Sequence, residues 1–378
     1  SPSQSVGLVI NPSSYFAENG TVPMLVGSHI GENTIEWGKA NCITTESNAR
    51  LPASRLKSGD LVTVRVGAPG ITAVVPQALD GCNCASMMIV RQGPLFDSTW
   101  LCFLMNSKIG KTQIEGVQYG TAQKQFNIVD AVDFLFPFPS KKEQTAIAHA
   151  LSDVDALIAE LEKLIAKKQA IKTATMQQLL TGKTRLPEFA LREDDTPKGY
   201  KTSDLGEIPE DWEVAPLRDF IKIRHGRNQK AVESPDGKYP IFATGGQIGT
   251  ANSFLYDKPS VLIGRKGTID KPRYAEEPFW TVDTLFYSEV FKTADAKFMF
   301  YKVCMIDWMQ YSEASGVPSL NASTIERVLA VFPERDEQTT IAIILSDMDD
   351  EIQTLQQRLN KTRQIKQGMM QELLTGKT

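Results

Sequence analysis

The segment Glu143–Thr184, EQTAIAHALSDVDALIAELEKLIAKKQAIKTATMQQLLTGKT, occurs twice in the chain, with a second copy at Glu337–Thr378. The two segments align without a gap and share 22 of 42 residues. This identity is far higher than unrelated helices of similar composition would show, so the chain contains an internal duplication.

Each copy has the pattern of one long helix. Apolar residues recur at alternating spacings of four and three, which forms a heptad seam. The seam residues are Ile147, Leu151, Val154, Ile158, Leu161 and Ile165 in the first copy, and Ile341, Leu345, Met348, Ile352, Leu355 and Leu359 in the second. Ser140 and Glu143 form a capping box at the first start, and Gly182 and Gly376 suit the left-handed position after a helix end. A helix of about 39 residues spans about 58 Å and cannot bury its own stripe, so we expect an antiparallel coiled coil of the two copies.

A looser repeat precedes each long helix. The matching segments are 138–139 with 332–333, 64–67 with 264–267, and 120–127 with 316–321, the last pair with two residues removed. The offset between partners is 194 for the first pair and 200 for the second. Changing offsets indicate loops of different length in a preserved framework, and loops are where specificity is usually carried.

The duplication predicts two domains of one architecture. β-branched runs alternate with Gly- and Pro-rich turns at 61–66, 85–90, 260–264 and 284–291. We therefore expect a mixed α+β fold, in which two α/β domains are separated by two long helices with pseudo-two-fold symmetry. The predicted parts are 1–142 (first domain), 143–184 (first helix), 185–203 (linker), 204–336 (second domain) and 337–378 (second helix).

Composition places the chain among soluble globular proteins. It has 378 residues, of which 42% are hydrophobic and 23% charged, and a length that suits two or three domains. No run of eighteen apolar residues and no signal-peptide pattern occur, so we expect a cytoplasmic protein without a membrane partner. Five cysteines and three histidines show no metal-ligand spacing and no disulfide framework, so no metal is expected.

The net charge of −4 argues mildly against nucleic acid as a partner, but charge is unevenly distributed. Residues 186–213 carry 3 basic and 9 acidic side chains, whereas residues 214–275 carry 11 basic and 5 acidic ones. Such a sign change is expected where one face meets phosphates and another does not. Scattered solvated charge is the alternative interpretation.

Catalytic motifs are missing from the sequence. The Gly-Lys-Thr triplets at 182–184 and 376–378 lack the glycine five positions earlier that a phosphate-binding loop needs, and they follow a helix end instead of preceding a helix start. No nucleophile elbow, methyltransferase motif or metal-dependent nuclease spacing occurs. Cys82 and Cys84 suit buried small hydrophobic positions. We therefore expect no catalytic residues, no cofactor and no enzymatic activity in the chain itself.

Polar loops supply candidate DNA-binding residues. Arg, Asn and Gln carry paired donors and acceptors that match guanine and adenine edges, and neighbouring glycines allow close backbone approach. The candidates are Arg224, Arg227, Asn228, Gln229, Lys230, Gln247, Arg265 and Lys266 in the second domain, and His29, Arg65, Gln123, Lys124 and Gln125 in the first. Each residue alone is a weak signal, because most exposed Arg and Lys side chains are simply solvated, whereas the set on two duplicated domains favours a nucleic-acid face.

Together these motifs resemble the specificity subunit of a type I restriction-modification system. The resemblance rests on helices that end in Leu-Leu-Thr-Gly-Lys-Thr, on the Phe-Pro and Glu-Gln-Thr that introduce them, and on Ile208–Val214 before the second domain, and it covers essentially the whole chain. It implies two target-recognition domains, each reading one half of a split site in double-stranded DNA. It also implies that methylation and cleavage belong to partners: two methylation subunits and, in the full complex, restriction subunits.

One departure concerns the first domain. The second domain follows Ser203–Phe220, whereas the first begins at Ser1, so about fifteen to twenty residues, including a counterpart of Trp212, have no equivalent. We expect either a truncated start or a first domain that is completed differently.

Two other functional classes stay open at this point. One is a duplicated coiled-coil scaffold or regulator that recruits partners without reading DNA. The other is a DNA methylase or nuclease in its own right, which the missing motifs oppose.

Overall fold

The computed structural model describes residues 3–9, 11–121, 124–314 and 316–376. The chain divides into two compact units. The first unit comprises Ser1–Glu162 and Gln357–Thr378, and the second comprises Lys163–Gln356. Each unit therefore contains part of both long helices.

The first unit combines sheets with short helices. Its strands are β1 (Gln4–Val6), β2 (Val22–Leu25), β3 (Ile30–Gly31), β4 (Thr34–Ile35), β5 (Cys42–Ile43), β6 (Leu61–Val64), β7 (Thr72–Val74), β8 (Asn83–Cys84) and β9 (Met87–Val90). Its helices are α1 (Thr45–Ala49), α2 (Ser98–Asn106), α3 (Lys108–Val117), α4 (Ile128–Ala131) and the first part of α5 (Lys141–Leu180). An antiparallel sheet has the order β1, β9, β6, β7, and a second sheet has the order β5, β2, β8, with β2 parallel to β8.

The second unit is built in the same way. Its strands are β10 (Tyr200–Ser203), β11 (Gly206–Pro209), β12 (Glu213–Pro216), β13 (Ile221–His225), β14 (Tyr239–Ala243), β15 (Gly246–Ala251), β16 (Ser260–Gly264), β17 (Arg273–Ala275), β18 (Trp280–Thr281), β19 (Leu285–Val290) and β20 (Leu329–Phe332). Its helices are α6 (Ala296–Cys304), α7 (Ala322–Arg327) and the first part of α8 (Arg335–Leu373). The antiparallel sheet here has the order β13, β19, β16, β17, and the second sheet has the order β15, β14, β18, with β14 parallel to β18.

The two units thus share the strand order of these two sheets, whereas the pairs β3–β4 of the first unit and β10–β11 and β12–β20 of the second lie outside this common framework. Each of the four β-branched runs predicted from the sequence contains one strand, namely β6, β9, β16 and β19. The central strands β6 and β16 are buried along their whole length, which explains why both read as continuous apolar runs. The expected mixed fold with an internal repeat is confirmed.

The ends of the long helices follow the capping signals. The Ser140 hydroxyl accepts a hydrogen bond from the Glu143 N–H at 3.3 Å at the start of α5. Gly182 and Gly376 follow the helix ends with φ of 72° and 68°, a conformation that only glycine adopts without strain. Helix α5 begins two residues before the repeated segment, and α8 also begins two residues before it.

In the first unit, α5 and the end of α8 run antiparallel. Asp155 forms an ion pair with Lys366, and Glu162 forms one with Arg363 at 2.6 Å. A later residue of α5 therefore meets an earlier residue of α8. Such exposed pairs contribute about 0–1 kcal/mol each, so they report direction more than they stabilise.

The same direction holds in the second unit. Lys168 of α5 pairs with Glu351 of α8 at 2.7 Å, and Lys172 pairs with Asp349. All twelve seam residues occupy buried or half-buried positions. The buried ones are Ile147, Leu151, Leu161, Ile165, Ile341, Leu345, Ile352 and Leu359, and the half-buried ones are Val154, Ile158, Met348 and Leu355.

Each unit has its own apolar core at the start of a long helix. Trp100 and Leu374 pack in the same cluster as Leu151 in the first unit, and Leu345 packs in the corresponding cluster of the second.

In the described part of the chain, no helix is both long and apolar enough to cross a membrane, and no group of His, Cys, Asp and Glu is arranged to hold a metal. Cys82 and Cys84 are buried, and burial raises the pKa of the Cys82 thiol to about 12, as suits a small apolar position.

Candidate nucleic-acid interface

In the second unit, the end of the central strand presents two basic side chains. β16 ends at Gly264, and the next residues, Arg265 and Lys266, are exposed. Gly267 then turns the chain with a φ of 91°, and its N–H donates to the carbonyl of Pro318 at 2.9 Å. A loop that leads into α7 therefore crosses the strand end and fixes the backbone of the two basic residues.

The first unit repeats this arrangement. β6 ends at Val64 and is followed by the half-buried Arg65, whose Nε donates to the carbonyl of Phe126 at 3.2 Å. Gly67 has a φ of 92°, and its N–H donates to the carbonyl of Lys124 at 3.0 Å. The duplication has therefore preserved this local structure as well as the sheets.

The crossing loops have the same length in both units. The Tyr119 N–H donates to the Gln125 carbonyl at 3.0 Å, and the Glu313 N–H donates to the Ser319 carbonyl at 3.0 Å. Each of the two residues that close the loop in the first unit is separated from its counterpart in the second unit by 194 positions, the same offset that relates the two long helices. The sequence alignment of 120–127 with 316–321, in which the second segment is two residues shorter, is therefore wrong. It matched Gly120 with Gly316, although these glycines stand at different positions of the two crossing loops.

A cleft of about 680 Å³ opens beside the strand end of the second unit. Its lining includes Arg265, Lys266, His225, Glu313, Asn321 and Ser323. The Thr324 hydroxyl and the Asn321 amide donate to Glu313, and they lower the pKa of its carboxyl. The cleft therefore combines cationic donors with a fixed carboxylate acceptor, the groups that recognise guanine and cytosine edges respectively.

Neighbouring residues of β13 differ in what they can contact. Side chains alternate between the faces of a strand. His225 lines the cleft and packs edge-on against Phe286 at 5.0 Å. Arg224 instead pairs with Glu289 at 2.9 Å, and this hydrogen bond raises the pKa of Arg224. Arg224 is therefore engaged within the protein, whereas Arg265 and Lys266 face the cleft.

The loop after β13 has an anchored backbone. A Cβ at Gly226 would lie 2.0 Å from the carbonyl oxygen of Val282, so only glycine fits there. The Arg227 N–H donates to the Thr281 carbonyl at 2.8 Å, and Trp280 Nε1 donates to the Arg227 carbonyl at 2.9 Å. The Arg227 side chain is exposed on this fixed support.

Further candidates lie on the same loop and on a separate hairpin. Asn228 and Lys230 are exposed, Gln229 is half-buried, and the Asn228 side chain accepts from the Lys230 N–H at 2.9 Å. Gln247 is exposed near the turn between β14 and β15, where Arg273 donates to the Gly245 carbonyl at 3.0 Å. Neither group contributes to the lining of the cleft.

The remaining first-unit candidates have unequal exposure. His29 is half-buried, its Nδ1 accepts from the Val26 N–H at 3.0 Å, and burial lowers its pKa, so it acts as a neutral residue that closes a turn. Lys124 is exposed and Gln125 is half-buried in the crossing loop. Gln123 lies outside the described residues.

Sequence reasoning missed the residues that the crossing loop brings to the cleft. Glu313, Asn321 and Ser323 lie about fifty residues from Arg265 in the sequence. Long-range backbone pairing joins the two regions: the Gly267 N–H donates to the Pro318 carbonyl, and the Leu320 N–H donates to the Arg265 carbonyl. The sequence does contain one signal for this region. The offset of 194 that relates the two long helices also aligns Asn321 with Asn127, and it thereby marks the crossing loop as part of the repeat.

Part of the chain matches a known protein family. Residues 209–364 match the family model of the type I restriction modification DNA specificity domain. The chain is also 26% identical over 277 residues to the type I restriction enzyme MjaVIII specificity subunit of Methanocaldococcus jannaschii, a match that covers 64% of this chain and 61% of that protein. The chain thus spans about three fifths of the length of this relative.

Solved structures agree in fold. The S subunit of a type I restriction-modification system from M. genitalium matches with a TM-score of 0.64 at 16% identity, covering 99% of this chain and 93% of that one. A structure described as the basis of complex assembly and conformational transition of a type I system matches with a TM-score of 0.53 at 15% identity, covering 98% and 95%. The resemblance to type I specificity subunits that was drawn from the sequence is confirmed.

Proposed function

We propose that this chain is the specificity subunit of a type I restriction-modification system and that each unit reads one half of a bipartite target in double-stranded DNA. The observation that carries this proposal is the repeated strand end. In both units a basic residue follows a buried central strand, a glycine with positive φ turns the chain, and a crossing loop fixes the backbone. A fixed backbone that carries side chains with several N–H donors is the arrangement that direct readout of base edges needs.

The proposed role divides recognition from chemistry. The chain supplies sequence recognition, two methylation subunits supply methyl transfer, and restriction subunits join in the full complex. The recognition domains are 1–142 and 204–336, the spacer helices are 143–184 and 337–378, and 185–203 links them. The chain itself is not an enzyme and uses no cofactor, since the motifs for cofactor binding and nucleophilic or metal-dependent chemistry are missing from its sequence.

The decisive experiment measures DNA selection by the assembled protein. The chain is combined with methylation subunits and mixed with a pool of random duplexes, and the bound duplexes are sequenced. We expect enrichment of two fixed blocks. A duplicated scaffold that does not read DNA would instead give binding without enrichment, and that result would exclude the proposal.

A second measurement tests the division of labour. Purified chain is incubated with DNA and either S-adenosylmethionine or magnesium. We expect neither methyl transfer nor cleavage until the partner subunits are added. Activity of the chain alone would identify an enzyme and contradict the proposed role.

A further inference from the structure

The crossing loop of the second unit carries Glu313 at the point where the loop closes. The Glu313 N–H donates to the Ser319 carbonyl at 3.0 Å, and Ser319 forms an antiparallel bridge with Lys266, just beyond the end of β16. The backbone of Glu313 is therefore tied to the strand end. Its side chain lines the cleft together with Arg265 and Lys266.

Two neutral donors hold the Glu313 carboxylate. The Thr324 hydroxyl donates to Oε1 at 2.7 Å, and the Asn321 amide donates to the same oxygen. Asn321 is itself fixed, because its Oδ1 caps α7 by accepting from the Thr324 N–H at 2.8 Å. Hydroxyl and amide donors carry no charge, so the carboxylate keeps its negative charge, and both donors lower its pKa. Oε2 is the second acceptor of this carboxylate.

The first unit has a different residue at the same place. Tyr119 closes the first crossing loop by donating its N–H to the Gln125 carbonyl, and the offset of 194 makes it the counterpart of Glu313. Its hydroxyl donates to Oδ1 of Asn127 at 2.8 Å, and Asn127 is the counterpart of Asn321. The asparagine before the short helix is thus the same in both units, whereas its partner is a phenol in one unit and a carboxylate in the other. A position that differs on a preserved framework is where two repeats acquire different specificity.

The charge of Glu313 limits what it can contact on DNA. A carboxylate repels phosphates and base acceptors such as N7 and O6 of guanine, so it needs a donor on the base edge. In the major groove these donors are the amino groups at N4 of cytosine and N6 of adenine. The adenine amino group lies beside the acceptor N7 of the same base, whereas cytosine presents N4 without an acceptor of its own in that groove. Glu313 therefore fits cytosine better than adenine.

We propose that Glu313 is a specificity-determining residue that accepts a hydrogen bond from N4 of a cytosine in the half-site read by the second unit. This inference rests on the proposed function, since it assigns one base within the proposed bipartite target. Arg265 lines the same cleft and supplies the donors that fit a guanine of a neighbouring base pair. Tyr119 gives the first unit no carboxylate at this position, so the cytosine preference belongs to the second unit alone.

Selection from random duplexes by the chain assembled with methylation subunits tests the assignment. Glu313→Gln preserves the shape of the side chain and keeps an oxygen for Thr324 and Asn321, but it replaces the second oxygen with an amide group that donates. We expect one position of one block to change from cytosine to a base that offers an acceptor, thymine or guanine, and every other position to stay the same. Glu277→Gln is the matched control, since Glu277 is exposed in the same unit and does not line the cleft.

A measurement on the parent chain needs no variant. A duplex with N4-methylcytosine at the assigned position should bind at least about tenfold more weakly than one with cytosine, because the methyl group replaces the hydrogen that faces the major groove. Equal affinities for the two duplexes would overturn the assignment. So would a loss of affinity in Glu313→Gln that is the same for every duplex and leaves the base preference unchanged, since that is the result of a purely structural role.

The same selection keeps this assignment apart from the proposed function. A parent chain that enriches no block contradicts both. A parent chain that enriches two blocks, combined with a Glu313→Gln variant that selects the same two blocks, supports the proposed function and refutes only the role of Glu313.

Discussion

Arg265 follows β16 and Arg224 is the penultimate residue of β13, two strands that both pair with β19, yet the two arginines differ in what they can bind. Arg265 is exposed at the cleft, and its Nη1 donates to the Asp283 carbonyl at 3.2 Å. Arg224 donates from Nη2 to the Glu289 carboxylate at 2.9 Å, so its guanidinium is directed toward an acidic side chain of the same sheet. Residue type alone therefore does not identify the side chains of the candidate interface. The hydrogen-bond partners of each side chain, and its exposure at the cleft, are the better criterion.

Substitution of Arg265 should affect one half-site only. Arg265→Ala should weaken binding of the second unit's half-site by about 1–3 kcal/mol, since it removes a bidentate donor to a base edge. Arg224→Ala should have a smaller effect. Affinities of the assembled protein for duplexes altered in one block measure this, with Arg218→Ala as a control outside the cleft. Equal losses on every sequence would show that Arg265 contacts phosphate.

Lys266 should behave differently from Arg265. A lysine that neutralises one phosphate contributes to every sequence equally, because counterions are released wherever the protein binds. Lys266→Ala should therefore weaken binding to specific and non-specific duplexes alike and reduce the slope of log affinity against log salt by about one. A change of base preference without a change of slope would contradict this assignment.

Lys302 makes the stability of the second unit depend on pH. Its ammonium is buried beside Trp212, Phe298 and Phe332 and donates to the Leu180 carbonyl at 2.6 Å, and burial lowers its pKa to about 7. The unfolded chain keeps this proton up to the ordinary lysine pKa of 10.5. Between these values the unfolded state binds more protons, so raising the pH favours the folded state.

The parent chain should therefore gain stability relative to Lys302→Met as the pH rises from 7 to about 10, on the order of a few kcal/mol. Below pH 7 the difference between the two proteins should become constant. Thermal unfolding of both proteins across this range, with the exposed Lys292→Met as control, measures the effect. A difference that does not vary with pH would mean that Lys302 keeps its ordinary pKa.

At the scale of elements, the Glu-Gln-Thr motif docks each long helix on its own domain. Gln144 is fully buried, accepts from the Asp97 N–H at 2.8 Å and donates to the Pro139 carbonyl at 2.9 Å. In the second unit, Gln338 accepts from Asp295 at 3.1 Å in the same way. One amide thus ties the start of a long helix to the cap of α2 or α6, which explains why this motif is repeated.

Substitutions on α8 should separate the buried seam from the exposed surface. Leu345 is fully buried, and Leu345→Asp should destabilise the chain by several kcal/mol because it buries a carboxylate and leaves a cavity. Ile343 is 55% exposed, and Ile343→Asp should cost less than about 1 kcal/mol. Urea unfolding midpoints of the two variants measure the contrast. Similar midpoints would show that the seam does not hold the helix in place.

Local signals predicted the long helices well and the cleft poorly. Heptad spacing, a capping serine and terminal glycines act within a few residues, so the starts of α5 and α8 could be read within two residues. The predicted ends, 184 and 378, lie four and five residues beyond Leu180 and Leu373, where the helices end. The order of the strands and the position of Arg265 and Glu313 in the same cleft depend on backbone pairing between segments that are distant in the sequence. No local sequence pattern specifies such pairing. Arg224 was a candidate by its residue type, and only the cross-strand position of Glu289 reveals that it is engaged.

In the whole molecule, duplication gives two candidate interfaces, one in each unit, and their side chains differ. Each unit has its own core and its own strand end, and the side chains that line them differ: Arg65 is half-buried where Arg265 is exposed, and Phe126 receives its hydrogen bond. Two unlike interfaces on one framework should read two unlike sequences. The recognised target is therefore expected to be asymmetric.

The methylation pattern in cells that carry this chain and its partner subunits should consequently show two short, different blocks separated by unread base pairs. Changes at Arg265 should relax one block and leave the other intact, whereas changes at Lys124 and Gln125 should affect only the other block, because each unit holds its own crossing loop. Sequencing of methylated positions in cells with the parent chain and with each variant measures both effects. A single continuous block, or a variant that relaxes both blocks together, would show that the two units do not read DNA independently.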